Sequence, residues 1–458
     1  MPQAGANRGR VGKNLTEGTV WKVLLSFAVP IILTNVIQQV YSLVDLIIIG
    51  KYVGSTGTVG VSTGGELSDF MTPAAMALGS AGQIFIAQLI GAKKEKEFKE
   101  TIGTLLTLCL TISVVLGIAC ILFCDPFLRL MNCPEEAMGQ ARAYLIITSC
   151  GFPFIFGYNA VCSILRGMGE AKRPLIFIII AAVVNIFADI LLVAVFSLGA
   201  AGTAIATVAS QFGSFAAAAW YMYRNRERFG LEFKRSYFRI KAKPAKTIVR
   251  LAVPQLCRTL LVRSAMMYVN AGCNNFGLEF AAANSIGNKI QKFLEVFLQG
   301  VDAASGTMIG QNLGAGKKDR AAKTVWNTLA MGMIIAAFAA LISWFFPKLL
   351  FSAFTSETAV IELGVTFLHI MCIHYFCSAF VGAFQSMVNG CGFVELGFAI
   401  GVLDGVICKI GLSILFLKLG VGETSYWWGT AFSRILPGLL CMAYFLSGKW
   451  KTRKLLSD

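Results

Sequence analysis

The chain has 458 residues, of which 56% are hydrophobic and only 14% carry a charge. A soluble globular domain needs more charged surface than this, so the composition indicates a membrane protein with several spans. The net charge of +16 does not indicate a nucleic-acid partner, because Lys and Arg form short clusters between apolar runs, where they act as topology signals. The thirteen cysteines lie mostly inside apolar segments without CxxC pairs, which supports neither a disulfide framework nor a zinc site.

Twelve segments of the chain are apolar and long enough to span a bilayer, which takes about 20 residues. Residues 1–19 precede them and lack the apolar core of a signal peptide, so we expect the first span to remain in the mature protein. The pattern predicts an all-α polytopic membrane protein. The predicted spans are 22–49, 56–82, 101–124, 141–164, 174–197, 201–223, 247–272, 279–303, 321–346, 360–385, 393–418 and 425–447.

The positive charges outside these spans are unevenly distributed. Most of the Lys and Arg residues lie at the two termini or in the even-numbered loops. The positive-inside rule then places both termini on the cytoplasmic side of the cell membrane.

Short motifs of the first half recur about 223 residues later in the second half. The matching pairs are Phe27-Ala-Val-Pro30 with Leu251-Ala-Val-Pro254, Ala87-Gln-Leu-Ile-Gly-Ala-Lys-Lys94 with Gly310-Gln-Asn-Leu-Gly-Ala-Gly-Lys-Lys318, and Ser163-Ile-Leu-Arg-Gly-Met-Gly169 with Ser386-Met-Val-Asn-Gly-Cys-Gly392. They predict a duplication of six spans, and because six is even, both copies begin on the same side as a parallel repeat.

The most basic loop, Arg224–Arg250, lies between the two halves. We therefore expect an N-lobe at 1–223, a basic cytoplasmic connector at 224–246 and a C-lobe at 247–458. A contact with anionic lipid is the alternative role for this loop.

The first span contains one carboxylate, Asp45, in an otherwise apolar run. An ionisable group at membrane depth is a functional candidate that faces a helix bundle or a wet cavity. Helical spacing places other polar side chains on the same stripe of this span, which we expect to face inward. They are Thr34, Gln38, Tyr41 and Ser42.

The fifth span has a similar pattern, with Asn185 and Asp189 four residues apart on one helix face. Asp189 and Asp45 fall at similar depths in their spans, so they can share a site with Asn159 of span four and Thr203 or Thr207 of span six. Carboxylate, amide and hydroxyl oxygens suit Na⁺, while two acids crowded in a low dielectric can hold a proton, so either ion fits. The alternative is that these acids only bond polar neighbours and fix the packing.

The second half has charges of both signs inside its spans. A buried charge without a partner is costly, so we expect internal ion pairs, with Arg258 and Glu295 as one candidate pair. The alternative is that Glu295 and Asp404 face a cavity and bind a cationic substrate. His369 and His374 are either interior histidines with satisfied hydrogen bonds or proton carriers. Among the charged residues of these spans are Arg258, Arg263, Lys289, Lys292, Glu295, Asp302, Asp404, Lys409 and Arg434.

Enzymatic and ATP-driven functions find no support in the sequence. The Gln-x-x-Gly-Ala-x-Lys segments lack the spacing of a phosphate-binding loop, so ATP is not the expected energy source. No constellation of nucleophile and base or of metal ligands suggests a membrane enzyme.

Taken together, these motifs resemble the multidrug and toxic compound extrusion (MATE) family of transporters over nearly the whole chain. The matching features are Pro30 with Gln38-x-x-Tyr41-x-x-x-Asp45 and Gly50, the two Gln-x-x-Gly-Ala segments, Leu165-Arg-Gly-Met-Gly169, Asn185-x-x-x-Asp189, and Gly199 with Gly202-Thr-Ala. The resemblance implies two six-helix bundles arranged as a V around a central cavity, and export of cationic amphiphilic compounds in exchange for Na⁺ or H⁺. We expect no other cofactor, and a functional monomer in the lipid bilayer.

The resemblance also assigns site residues. The cation site of the N-lobe maps onto Asp45, Asn185 and Asp189, with the two aspartates as candidate Na⁺ ligands and with Tyr41, Asn159 and Thr207 as neighbours. Spans seven and ten have no interior acid, so the branch of the family with its site in the N-lobe is the better match. The candidate residues of the substrate cavity are Gln38, Glu295, Asp404 and Arg258.

A lipid-linked saccharide flippase of the same superfamily is the alternative function. Such a protein needs cationic residues that hold a pyrophosphate. Arg258, Arg263 and Lys292 would serve that purpose here if they line the cavity unpaired.

Overall fold

The computed structural model describes residues 12–227 and 237–456, so part of the basic connector lies outside the described residues. The described chain forms twelve long helical segments, which confirms the predicted all-α fold with twelve spans. They are α1 (Val20–Tyr52), α2 (Gly54–Gly91), α3 (Glu95–Leu122), α4 (Glu135–Gly167), α5 (Lys172–Val195), α6 (Gly199–Arg224), α7 (Ala242–Asn274), α8 (Leu278–Gly314), α9 (Lys318–Phe345), α10 (Thr358–Cys391), α11 (Val394–Lys418) and α12 (Gly422–Leu446).

Nine of these segments are long and apolar enough to cross a membrane, counted over the described residues. The other three are α6, α7 and α8, which contain more small or charged residues. Some helices also extend past the predicted spans: α2 continues to Gly91 and α8 to Gly314. A helix can continue beyond the apolar layer because its backbone hydrogen bonds are internal, so hydropathy alone does not locate its end.

The described chain divides into two compact units. The first contains 12–14 and Leu33–Ala252, and the second contains Leu15–Ile32 and 253–456. The division therefore crosses α1 near Pro30, so that the beginning of this helix belongs to the second unit. From the sequence we expect all of residues 1–223 in the first lobe, and the contacts of Leu15–Ile32 differ from that expectation.

Three of the spans are irregular beside a charged residue that is buried or partly buried. In α5 the α-helix ends at Asp189 and continues as a π-helix over Ile190–Val195. In α11 a π-helix over Leu403–Ile410 contains Asp404 and Lys409. In α12 two turn residues, Ser433 and Arg434, separate the helical pieces Ser425–Phe432 and Ile435–Leu446. Single π-turns are rare in helices and are frequent at functional sites.

Glycines allow close helix packing in both units. A Cβ atom on Gly64 of α2 would lie 2.8 Å from the carbonyl oxygen of Ala141 on α4. A Cβ atom on Gly287 of α8 would lie 2.5 Å from the ring of Phe367 on α10. Small residues that let helix backbones approach closely are typical of membrane helix pairs.

Candidate functional site

The first unit brings the carboxylates of Asp45 and Asp189 together. Asp45 lies on α1 and Asp189 on α5, and their side chains are within hydrogen-bonding reach of one another. Asp189 is 1% exposed and Asn185, one turn earlier on the same helix face, is 2% exposed. Two acids from different helices therefore meet inside the bundle.

The buried polar atoms of this site have no hydrogen-bond partner among the described residues. These atoms are Oδ1 of Asp45, both carboxylate oxygens of Asp189, and both amide atoms of Asn185. Buried polar groups in proteins are nearly always hydrogen-bonded, so such a cluster needs an explanation. A group of oxygens that lacks donors fits a bound cation, or a proton shared between the two acids.

Tyr41 is the other predicted residue that the structure places at the acid pair. It lies on α1 close enough to Asp45 for their charges to interact, and its hydroxyl interacts with the side chain of Ser42. Tyr158 of α4 is a further neighbour of Tyr41. None of the described ion pairs joins Asp45 or Asp189 to a lysine or arginine.

Two other candidates show no hydrogen bond to the acid pair within the described residues. The amide of Asn159 donates to the carbonyl oxygen of Ile155 in its own helix, at 2.8 Å. Thr207 accepts a hydrogen bond from Ser210 through its backbone oxygen, and its side chain is only partly buried. Gln38, a candidate for the substrate cavity, is also partly buried and accepts a hydrogen bond from Ser42 through its backbone oxygen.

The second unit contains a network of buried ion pairs centred on Glu295 of α8. Its Oε1 accepts hydrogen bonds from the Arg434 guanidinium at 3.0 Å and from the Ser378 hydroxyl at 3.2 Å. The same oxygen lies 2.7 Å from Nε2 of His374, whose Nδ1 lies 3.1 Å from the carbonyl oxygen of Thr430. Glu295 therefore has three partners, and it is only 7% exposed.

Asp404 and Arg258 belong to the same charged region. Asp404 accepts a hydrogen bond from Ser433 at 3.3 Å, and its other oxygen lies 4.0 Å from Nε of Arg434. The side chain of Arg258 packs over Gly401. The guanidinium of Arg258 donates to the amide oxygen of Gln385. The suggested pair of Arg258 with Glu295 is thus wrong, because Arg434 occupies that position from the break in α12.

His369 is not part of this network. Its Nε2 lies 3.3 Å from the carbonyl oxygen of Trp344, and its ring stacks on the Trp344 indole with centroids 4.2 Å apart. The two histidines therefore lie in different environments, and within the described chain His374 is the one that contacts an acid.

Sequence reasoning missed several partners in the second unit. Ser378 and Ser433 both donate to buried carboxylates. Serines are common in apolar spans, so the presence of a serine alone does not indicate a hydrogen bond to a buried carboxylate. The spacing of four residues between His374 and Ser378 on α10 does place both on one helix face, where they could have been linked to Glu295.

The oxygen atoms of Asp45, Asn185 and Asp189 can be compared with the ligands that metal ions prefer. No cluster of three or more His, Cys, Asp or Glu side chains occurs in the described part of the chain. Two carboxylates and an amide, all with free oxygens, still fit a hard monovalent cation such as Na⁺. They do not resemble the nitrogen and sulfur ligand sets of zinc.

Comparison with known proteins agrees with this architecture. The family model MatE matches residues 30–191 and again 254–415, so its two matches begin at Pro30 and Pro254 and confirm the duplication predicted from the motifs. The probable multidrug resistance protein YoeA of Bacillus subtilis is 27% identical over 361 residues, covering 77% of this chain and 78% of that protein. YpnP of the same organism, also a probable multidrug resistance protein, is 24% identical and covers 97% and 99%.

Solved structures show the same fold. A crystal structure of MATE in complex with MaL6 superposes with a TM-score of 0.91 at 19% identity, and covers 96% of this chain and 99% of that one. The outward-facing conformation of a multidrug resistance MATE family transporter of the MOP superfamily gives a TM-score of 0.90 at 19% identity, covering 97% and 100%. With a family model matched twice along its length, this chain belongs to the MatE family, whose members are membrane transporters and not enzymes.

Proposed function

We propose that this protein is a secondary-active multidrug antiporter that exports cationic amphiphilic compounds in exchange for Na⁺ or H⁺ by alternating access. Its relatives are named as multidrug resistance or export proteins, which supports multidrug efflux as the general activity. The main support for ion coupling is the pair Asp45 and Asp189. These two acids have buried oxygens, lie within reach of each other and have no described basic partner.

Coupling requires that the ion and the drug prefer different conformations of the protein. When both carboxylates are ionised they repel each other, because none of the described ion pairs supplies an opposite charge and burial weakens screening by water. Neutralisation of one acid by a proton, or of both by a shared cation, removes that repulsion. The favoured packing of α1 against α5 then depends on whether the site is loaded.

The backbone beside the site supports such a change. Asp189 is the last α-helical residue of α5 before the π-helix Ile190–Val195. A π-turn has a register different from that of the α-helix, so a change between the two rotates the side chains on one side of the turn. We propose that this junction allows Asp189 to shift relative to Asp45 when the ion leaves. Asn185 would follow as the polar group on the same face.

The distribution of positive charge supports an orientation in the cytoplasmic membrane with both termini inside. A monomer is sufficient for the proposed mechanism, because one chain contains the whole acid pair.

The flippase alternative has weaker support. Of the three cations suggested for a pyrophosphate, Arg258 already has Gln385 and the nearby Asp404 as partners, and it lies in the same charged region as Arg434, which bonds Glu295. Burial of these cations with acids and amides is the arrangement expected of a structural network.

The test is dye efflux from proteoliposomes in which Na⁺ and pH gradients are imposed separately. The changes are Asp45→Asn and Asp189→Asn, which keep the side-chain shape and remove the charge. We expect each variant to lose at least about tenfold in gradient-driven ethidium efflux, since loss of an ion site uncouples transport. The gradient that drives the unmodified protein identifies the coupling ion.

Glu66→Gln is the matched control. Glu66 is an exposed acid on α2 of the same unit, so its loss changes the net charge equally and leaves the proposed site intact. We expect normal efflux from this variant. Undiminished efflux by both aspartate variants would contradict the proposed site, provided that all proteins are present in the vesicles at equal amounts.

A further inference from the structure

A cationic pocket lies at one end of the second unit, away from the buried charge network. Its volume is about 1050 Å³, and it is lined by the start of α1, the turn between α8 and α9, and Lys451 after α12. Five cationic side chains line the pocket, and the only acid among its lining residues is Asp319. The cations are Lys317, Lys318, Arg320, Lys323 and Lys451.

Two of these cations bind the N-terminal segment of the chain. Nζ of Lys317 donates to the carbonyl oxygen of Thr16 at 2.9 Å, and the Arg320 guanidinium donates to the carbonyl oxygens of Glu17 and Gly18. A carbonyl oxygen has no net charge, so these bonds fix the side chains without neutralising them. The carboxylate of Glu17 also lies close enough to interact with Arg320. The five cations outnumber the two acids, Asp319 and Glu17, so the pocket keeps a net positive charge.

The other three lysines have no anionic partner among the described ion pairs. Lys318 begins α9, where the first backbone N–H groups of a helix also favour an anion. Lys323 lies further along the same helix, and Lys451 has its Nζ 5.6 Å from the Trp450 ring centroid. These lysines are therefore available to a ligand.

The first repeat carries the opposite charge on the aligned surface. The repeat aligns the start of α3 at Glu95 with the start of α9 at Lys318. The acids Glu95, Glu97 and Glu100 of α3 align with Lys318, Arg320 and Lys323 of α9, so three negative positions become positive.

In the first repeat the protein itself covers this surface and pairs one of its three acids, Glu97. Glu97 forms ion pairs with Lys94 at 3.6 Å and with Lys243 at 3.4 Å. The end of the connector lies on α3, where Thr107 donates to the carbonyl oxygen of Phe238 at 2.8 Å. In the second repeat, residues 15–18 pack at the aligned place, but they offer carbonyl oxygens and one acid to five cations. The ligand that would neutralise the remaining charge is therefore an anion.

The position of the pocket indicates where that anion comes from. The start of α1, the α8–α9 turn and the end of α12 lie on one side of the membrane, since an even number of spans separates them. Trp21 and Trp326 line the pocket, and Trp326 is 50% exposed. Tryptophan is enriched at the level of the lipid headgroups, and basic pockets beside spans on the cytoplasmic side bind anionic headgroups.

We propose that this pocket binds the phosphate of an anionic phospholipid headgroup through Lys318, Lys323 and Lys451, between the indoles of Trp21 and Trp326. The proposal is independent of drug export and of the coupling ion, and it requires only that the pocket faces an anionic leaflet. A cationic drug is repelled by the same surface.

The test measures lipid binding to the purified full-length protein by native mass spectrometry, after delipidation in detergent. The probes are dioctanoyl phosphatidylglycerol, dioctanoyl phosphatidylcholine and inorganic phosphate at equal concentrations. We expect phosphatidylglycerol to bind more tightly than phosphatidylcholine, and phosphate alone to bind more weakly than phosphatidylglycerol. Phosphate binding as tight as that of the lipid would overturn the lipid assignment, and equal binding of both lipids would overturn the anion site.

The key variant is Lys318→Glu with Lys323→Glu, which restores the acids that the first repeat has at the aligned positions. We expect phosphatidylglycerol binding to weaken by at least about tenfold, because each basic residue near a headgroup contributes on the order of 1 kcal/mol. Lys418→Glu, an exposed lysine at the end of α11, is the matched control and should bind normally. Lys451→Gln is a milder second variant, with an expected loss of about fivefold. Unchanged binding by Lys451→Gln and by the double variant would refute the proposal.

Discussion

The two groups of buried acids differ in what surrounds each carboxylate. Glu295 has a guanidinium, an imidazole and a hydroxyl as partners. Among the described residues, the carboxylate oxygens of Asp189 have no hydrogen-bond donor, and the charge that acts on them is that of a second acid, Asp45. A carboxylate that is already paired has little to gain from an added cation, while an unpaired one does. For this reason we propose that the first unit couples the ion and that the network of the second unit has a structural role.

The structural role of Arg434 can be tested by Arg434→Leu. Removal of one partner leaves Glu295 buried with less compensation, so we expect the free energy of unfolding to fall by about 3–5 kcal/mol. The measurement is the apparent Tm and the denaturant midpoint of the purified protein. Arg142→Leu removes the same side-chain type from the exposed pair with Asp125, where the loss should stay below about 1 kcal/mol. Equal losses in the two variants would contradict a structural network.

The sequence predicts that the second half forms internal ion pairs, but it does not predict which ones. The depth of a residue along a span follows from its position in the sequence, and this depth suggests Arg258 as the partner of Glu295. The actual partner depends on how each helix is rotated about its axis and on the break at Ser433 and Arg434. Rotation and helix breaks follow from packing with neighbouring helices, which a single sequence does not contain.

The helices themselves were more predictable than their irregularities. Every predicted span corresponds to a long helical segment, because an apolar run of sufficient length must form internal backbone hydrogen bonds in lipid. The π-helices Ile190–Val195 and Leu403–Ile410 were not predicted. Their residues satisfy the hydropathy pattern equally well as ordinary α-helix, so composition gives no sign of the changed register. The cationic pocket was also missed, since it depends on segments distant in sequence.

The contact between the connector and α3 depends on Gly103, and a substitution there can test it. A Cβ atom on Gly103 would lie 2.0 Å from the carbonyl oxygen of Tyr237, so Gly103→Ala should displace the connector. We expect faster hydrogen–deuterium exchange in 237–241, where the backbone N–H of Lys241 donates to Thr104 at 3.3 Å. The size of the effect should match loss of one or two hydrogen bonds, about 1–3 kcal/mol.

Gly139→Ala is the control for this substitution. Gly139 lies in the first turns of α4, and a Cβ atom added there would have no neighbouring atom within 4 Å, so alanine fits. Alanine also has the higher helix propensity, by up to about 1 kcal/mol. Exchange in the connector should be unchanged in this variant, and faster exchange in both would mean that the effect is not specific to the contact at Gly103.

At the scale of the whole molecule, the duplication explains both the likenesses and the differences between the units. Both copies match the MatE family model from a proline in their first span onward. Each unit also has a short segment packed on its third helix: the end of the connector, which precedes α7, lies on α3, and residues 15–18, which precede α1, lie on α9. The side chains have diverged, so that the first unit has two acids without a basic partner among the described residues, and the second has the ion-pair network and the cationic pocket.

The proposed drug export and the proposed lipid binding both depend on the orientation of the twelve spans in the membrane. Reporter fusions can test this orientation. Alkaline phosphatase is active only outside the cytoplasm, whereas green fluorescent protein reports an inside position. We expect phosphatase activity from fusions after Asn275, between α7 and α8, and fluorescence from fusions after Gly316, between α8 and α9, or at the C-terminus. The reason is the excess of Lys and Arg at the termini and in the even-numbered loops, which are retained inside. The reverse pattern would place the cationic pocket on the outer leaflet and would refute the orientation on which the proposed drug export depends.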